Sequence, residues 1–297
     1  MDRKSVIEIA TDRLKCCVGH PFNQITLAKP ESAFEALNML KITSKLSPII
    51  GNLFEIDAVE LLNGVPEFKE HGTWIRQDPG FPDVLFETGE SIEPGFEIKA
   101  WYPFATEITG RFKDSQNRFL EDQTYVLMFA WLPQHLMYGK PQLLDLCICS
   151  GRSVAAARDE HYHNPPDYLV IEPLDTSART RNLQQTNTSG YKFQGTPAEF
   201  EKAEKLVASW GENGKKYAPT TDYQERLRDL MGQFKYRLDT NYAKMDRVFH
   251  QGIEDFKSRV LCRKVCGKAV AEWDRFLSNS TDKQIADFLT AEFKIEN

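Results

Sequence analysis

Two carboxylates and an ammonium lie at the ends of two short apolar runs in GFPDVLFETGESIEPGFEIKAWYPF, residues 80–104. Asp83 heads the first run, and Glu97-Ile98-Lys99 lies inside the second. VLF at 84–86 and FEIKAWY at 96–102 predict two strands of a hairpin, and the intervening ETGESIEPG is turn chemistry. Strand side chains alternate faces, so Glu97 and Lys99 share one face while Ile98 points into the core. Asp83 on the neighbouring strand then comes beside Glu97. Two adjacent carboxylates repel unless a cation lies between them. Magnesium suits such a pair, because it takes oxygen ligands and keeps waters for a phosphate substrate. The Ile98 carbonyl could add a third protein oxygen. A metal held there lowers the pKa of a bound water and stabilises charge on a phosphate under in-line attack. Lys99 would orient that water or help to deprotonate it, and would offset the charge that develops.

Other [DE]-x-K triplets occur at Asp2-Arg3-Lys4, Glu67-Phe68-Lys69, Asp255-Phe256-Lys257 and Glu292-Phe293-Lys294. None follows a Pro-Asp pair closely, and the second such pair, Pro166-Asp167, has no triplet within reach. Pro82-Asp83, thirteen residues, then Glu97-Ile98-Lys99 resembles the signature of the PD-(D/E)xK nucleases, whose small members are often type II restriction endonucleases. The resemblance covers roughly residues 50–132. It implies a restriction-endonuclease-like core and a magnesium-dependent hydrolysis of DNA phosphodiesters. Asp83, Glu97 and Ile98 would be the metal ligands and Lys99 would stand near the attacking water. It also implies an auxiliary acid on a preceding helix. In GNLFEIDAVELL that is Glu55, with Glu60 and Asp57 as lesser choices.

Sequence-specific cleavage needs groups that read base edges. The polar stretch SARTRNLQQTNTSGYKFQ offers Arg179 and Arg181 for guanine, and Asn182, Gln184, Gln185 and Asn187 for adenine, with Ser189 and Lys192 beside them. It is expected to be an exposed loop between a strand and a helix. Arg111, Lys113 and Arg118 are candidates for phosphate contact near the cut. Cutting both strands of a symmetric site calls for two active sites, so a homodimer on double-stranded DNA is expected. A repair, junction-resolving or transposon nuclease on the same core is the alternative. A non-catalytic DNA-binding protein with structural carboxylates is another.

Other chemistries find less support. His161 and His163 form a His-x-His pair, but no further ligands at zinc spacing accompany them, and their segment reads as a surface loop. No G-x-S-x-G occurs, which disfavours a Ser-His-Asp nucleophile, and G-x-G-x-x-G and Walker A patterns are absent, which disfavours ATP-driven or nucleotide-dependent function. Cys16, Cys17, Cys147, Cys149, Cys262 and Cys266 match no zinc spacing and are expected to be reduced, buried thiols of a cytoplasmic protein.

These residues need a scaffold. A chain of 297 residues, 41% hydrophobic and 27% charged, can bury a sizeable core. No run of about 18 apolar residues predicts a membrane helix, and MDRKSVIEIATDRLK reads as an amphipathic helix rather than a secretory signal. Apolar periodicity predicts two helices within 31–62, the second starting near Gly51. Strands are expected at 84–86, 96–102, 124–132, 143–150 and 168–174, and helices from Pro197 almost to the end. The fold class is therefore α/β or α+β, with a central mixed β-sheet flanked by helices. Residues 1–196 are expected to form the catalytic core and 197–297 a mainly helical region packed on it. Net charge is −6, yet 13 Lys/Arg against 7 Asp/Glu give residues 213–270 a local +6. That asymmetry allows one basic face on an acidic molecule.

Overall fold

The computed structural model describes residues 1–78, 80–89, 93–104, 119, 123–162, 165–171, 189–214, 220–239 and 249–295. In chain order these form α1 (Arg3–Lys15), α2 (Ala33–Ile42), α3 (Ser47–Asn63), β1 (Thr73–Arg76), β2 (Val84–Glu87), β3 (Gly95–Trp101), β4 (Thr124–Pro133) and β5 (Pro141–Ser150). There follow α4 (Gly151–Tyr162), β6 (Tyr168–Ile171), β7 (Ser189–Phe193), α5 (Pro197–Ala208), α6 (Thr221–Gln233) and β8 (Tyr236–Asp239). The chain ends with α7 (Gln251–Cys262), β9 (Lys264–Val265), β10 (Lys268–Ala269), α8 (Val270–Asn279) and α9 (Asp282–Phe293). The protein is mixed α/β. No described helix is long and apolar enough to cross a membrane.

Two compact units divide the chain. The first takes Met1–Ile108, Asp122–Cys149 and Gln251–Asn297, and the second takes Thr109–Glu121 and Ser150–His250. This grouping differs from a single boundary at 196/197, because α7, α8 and α9 belong with the N-terminal sheet.

The first unit is built on a five-stranded sheet in the order β1-β2-β3-β4-β5. β1, β2 and β3 pair antiparallel, whereas β3 and β4 are parallel, so the sheet is mixed. TYVLMFAWL fills β4, where every residue from Val126 to Leu132 is buried. A strand covered on both faces has no need of polar alternation, which explains the unbroken apolar run. One sheet face carries Trp74, Phe86, Phe96, Ile98, Leu127 and Phe129, and α3 brings Ile50, Phe54, Ala58 and Leu62 into the same core. Those α3 residues recur at four-residue steps, the helical stripe that a sheet face requires. Phe54 and Phe129 approach to 4.6 Å between ring centroids, and Trp74 stacks on Phe96 at 5.6 Å.

α3 begins at Ser47, not Gly51, with Pro48 in its first turn. A proline there has no hydrogen bond to lose and its fixed φ suits the helix start. The segment 151–162, expected as a loop, is helical, and Val154 and Ala155 are fully buried.

In the second unit β6, β7 and β8 form an antiparallel sheet. Ala203 and Val207 of α5 and Tyr223, Leu227 and Leu230 of α6 share a core with Leu169 and Phe193. Thr196 caps α5 through a reciprocal capping box with Glu199. β8 corrects the continuous helix expected after Pro197. In FKYRLD the apolar Phe234, Tyr236 and Leu238 alternate with Lys235 and Arg237, a period of two that favours a strand beside β7. β7 likewise replaces loop with strand at Ser189 and Lys192.

Candidate active site

β2 and β3 meet in antiparallel register, Val84 opposite Phe96 and Leu85 opposite Gly95. The same register carried one residue further sets Asp83 opposite Glu97. Gly95 makes the approach possible. A Cβ there would lie 2.5 Å from both the Pro82 ring and the Val84 carbonyl oxygen. Where the strand ladder stops, the Ile98 N–H donates to the Asp83 carboxylate at 2.6 Å. The charge-assisted bond fixes the carboxylate at the end of β2.

Glu97 and Lys99 stand on the face opposite Phe96 and Ile98, as alternation requires. Their β4 neighbours are Val126 and Met128, both fully buried, so the pair rests on an apolar floor. The Lys99 Nζ donates to Glu97 Oε1 at 2.5 Å and stands 3.9 Å from Asp83 Oδ2. Burial pushes the Glu97 carboxyl up to about 7; the Lys99 ammonium opposes this shift and the Asp83 charge adds to it. Glu97 Oε2 is buried with no hydrogen-bond partner. A buried carboxylate oxygen without a donor is costly, and a cation satisfies it as well as a hydrogen bond does.

Glu55, from α3, joins the site along its edge. The Arg76 Nε donates to Glu55 Oε2 at 2.7 Å, and the same guanidinium reaches the Asn52 side-chain oxygen and, at 2.9 Å, Asp78. Burial raises the Glu55 carboxyl, Arg76 pulls it down, the Asp83 charge raises it and the Lys99 charge lowers it. Glu55 therefore lies within the field of the Asp83–Lys99 cluster. Arg76 is the residue that sequence reasoning missed. Its signal was the short run Thr73-Trp74-Ile75 directly before it, which ends in a turn and reads as one more strand of the same sheet.

Asp83, Glu97 and Lys99 thus come together on one face of the sheet. The Ile98 side chain is in the core and its N–H is taken by Asp83. Lys192 is exposed on β7, where Ser189 also lies. Arg111, Lys113, Arg118, Arg179, Arg181, Asn182, Gln184, Gln185 and Asn187 lie outside the described residues.

The donor set suits a hard cation. Two neighbouring carboxylates, one with an oxygen that lacks a donor, fit magnesium, which uses one or two protein carboxylates and fills its shell with water and phosphate oxygens. They do not suit an ion that needs a full protein cage. Among the described residues no group of three or more His, Cys, Asp or Glu is gathered for that purpose.

No protein-family model, curated protein or solved structure matches this chain significantly.

Proposed function

We propose that this protein is a magnesium-dependent endodeoxyribonuclease with a PD-(D/E)xK core, acting as a type II restriction endonuclease on double-stranded DNA. One observation carries the reading. From one end of a mixed sheet, Lys99 places its ammonium 2.5 Å from Glu97 and 3.9 Å from Asp83, beside a carboxylate oxygen that lacks a hydrogen bond. The order of antiparallel β1, β2 and β3 followed by parallel β4, with α3 against the sheet, supports a restriction-endonuclease-like core.

Asp83 and Glu97 would hold the ion, with the Ile98 carbonyl as a further oxygen. When bound, magnesium supplies Lewis-acid stabilisation of the phosphoryl oxygens and a more acidic water. Lys99 then does what its position allows. Its ammonium orients the attacking water and offsets the negative charge that grows on the phosphate. Glu55, held by Arg76 within the field of the cluster, serves as the auxiliary acid. A homodimer brings two such sites to the two strands of a symmetric sequence.

The test is digestion of supercoiled plasmid by the full chain with magnesium. Discrete fragments are expected, lost in EDTA and lost in Lys99→Ala at unchanged fold. Cleavage by Lys99→Ala at the parental rate overturns the assignment. Nicking that follows DNA structure rather than sequence assigns the same site to a repair-type nuclease.

A further inference from the structure

Resting on the nuclease reading, we infer that Arg259, Arg263 and Lys264, at the end of α7 and in β9, form a contact surface for the phosphate backbone of the substrate duplex. From Phe256 to Ala271 the sequence has five bases and no acid: Lys257, Arg259, Arg263, Lys264 and Lys268. Basic residues in the last turn of a helix complement its dipole, and that alone would explain one of them. The arrangement around Asp145 goes further.

Asp145, on β5, is buried, and Leu146 N–H donates to it at 2.7 Å. The Arg259 Nε donates to its other oxygen at 3.0 Å, which is enough to balance the carboxylate. Arg263 adds a second guanidinium at 3.9 Å from the same oxygen. One buried anion thus faces two cations, each about half exposed at 50% and 49%. Arg259 also donates inward to the Leu146 carbonyl and feels the Asp255 charge, so Arg263 and Lys264, both exposed, are the cations left to face solvent. Lys264 is the next residue, exposed on β9. Guanidinium groups oriented in advance lose little side-chain freedom when they take a phosphate oxygen.

The position also fits a duplex that enters the site. Trp101 shares the sheet face of Glu97 and Lys99, and its ring meets Phe256 of α7 at 5.8 Å between centroids. α7 therefore packs on the face that carries the candidate catalytic pair. Two residues of strand, the Trp101–Phe256 ring contact with its two side chains, six residues of helix and the step to Arg263 separate Lys99 from Arg263, a path of at most roughly 30 Å. That is shorter than one turn of duplex, about 34 Å. One turn of duplex is therefore long enough to span from Lys99 to these cations.

The experiment measures binding of a fluorescent duplex about three turns long, by anisotropy in EDTA, at several salt concentrations. Arg263→Gln/Lys264→Gln removes two cations and leaves Asp145 paired with Arg259. Lys4→Gln/Lys15→Gln on α1 removes the same charge elsewhere, and thermal melts check the fold of both. The expected result is weaker binding by the α7–β9 variant, with a slope of log K against log salt smaller by about 1.8, some 0.9 per phosphate contact. The α1 variant keeps the parental slope. An unchanged slope in the α7–β9 variant overturns the surface, and so does an equal loss in both variants. Plasmid cleavage in magnesium is scored separately. Cleavage by the parent with an unchanged slope removes the surface and leaves the nuclease; a parent that neither binds nor cuts removes both.

Discussion

The carboxylate of Asp83 accepts the Ile98 backbone N–H at 2.6 Å, so a residue at the head of one strand is tied to the middle of the Glu97-Ile98-Lys99 triplet on the next. The bond serves the fold and the site at once, and the two roles can be separated. Asp83→Asn keeps an oxygen acceptor for Ile98 N–H and loses the charge. It is expected to stay within about 1 kcal/mol of the parent in urea unfolding. Cleavage should fall by a factor on the order of 10² to 10³, as when a charge-stabilising group is removed. Asp83→Ala should lose the cleavage too, and in addition about 1–3 kcal/mol, because a backbone donor is left without its acceptor. Equal cleavage by Asp83→Asn and the parent contradicts a metal-binding role for this carboxylate.

Glu97 predicts a pH dependence whose direction follows from its burial. Its carboxyl is raised from the ordinary 4.5 to about 7 in the folded protein, so the native state holds the proton over a range where the unfolded chain has released it. The stabilising contribution of the protonated acid is full below about 4.5 and is lost as pH rises through 7. In EDTA, Glu97→Gln should therefore gain in Tm relative to the parent as pH climbs through that window. At pH near 8, magnesium at about 100 times its Kd should stabilise the parent by about 2.7 kcal/mol and the variant much less. Parallel Tm curves for the two proteins across this pH range would show that burial does not perturb this carboxyl.

Much of this site was legible because its signals are local. Asp83 and the Glu97-Ile98-Lys99 triplet stand in short runs whose alternation alone sets the faces, and β2 and β3 meet as that alternation requires. β4 was readable from its unbroken apolar run. Arg76 was not, because its meaning comes from Glu55, twenty-one residues away in sequence and on another element. β8 was missed for a different reason. Its four residues follow a strongly helical segment, and the pairing with β7 supplies the hydrogen bonds that make so short a strand stable. The grouping of α7 with the N-terminal sheet was equally out of reach, since it depends on long-range contacts such as Trp101 with Phe256.

The Arg76–Glu55 pair should behave as one unit. Both side chains are mostly buried, at 26% and 12% exposure, so loss of Arg76 leaves the Glu55 carboxylate without its main partner. Arg76→Ala is expected to cost about 1–3 kcal/mol, the penalty of a mostly buried acceptor left without its donor, and Glu55→Gln alone less. In the double variant the costs should not add, with a coupling energy of about 0.5–3 kcal/mol by urea unfolding. Additive losses would mean that the two side chains act independently, and Arg76 would then have no hold over Glu55.

Gly95 gives the most direct test of whether backbone spacing between β2 and β3 governs the site. It is buried, and a Cβ would come within 2.5 Å of the Pro82 ring and of the Val84 carbonyl oxygen. The first contact is with a rigid ring and the second with backbone, so neither can yield by a side-chain rotation. Gly95→Ala must push the two strands apart, at a cost of about 1–3 kcal/mol, as for other overpacked positions. The residues on either side of the strain are Asp83 and Glu97, and their separation is what the proposed chemistry depends on. A displacement of about 1 Å can cost on the order of 10² in rate, so cleavage should fall much further than stability. The measurement pairs urea unfolding with plasmid cleavage at a temperature where the variant is fully folded. Loss of stability with cleavage at the parental rate would show that the spacing of these strands does not set the geometry of the carboxylates.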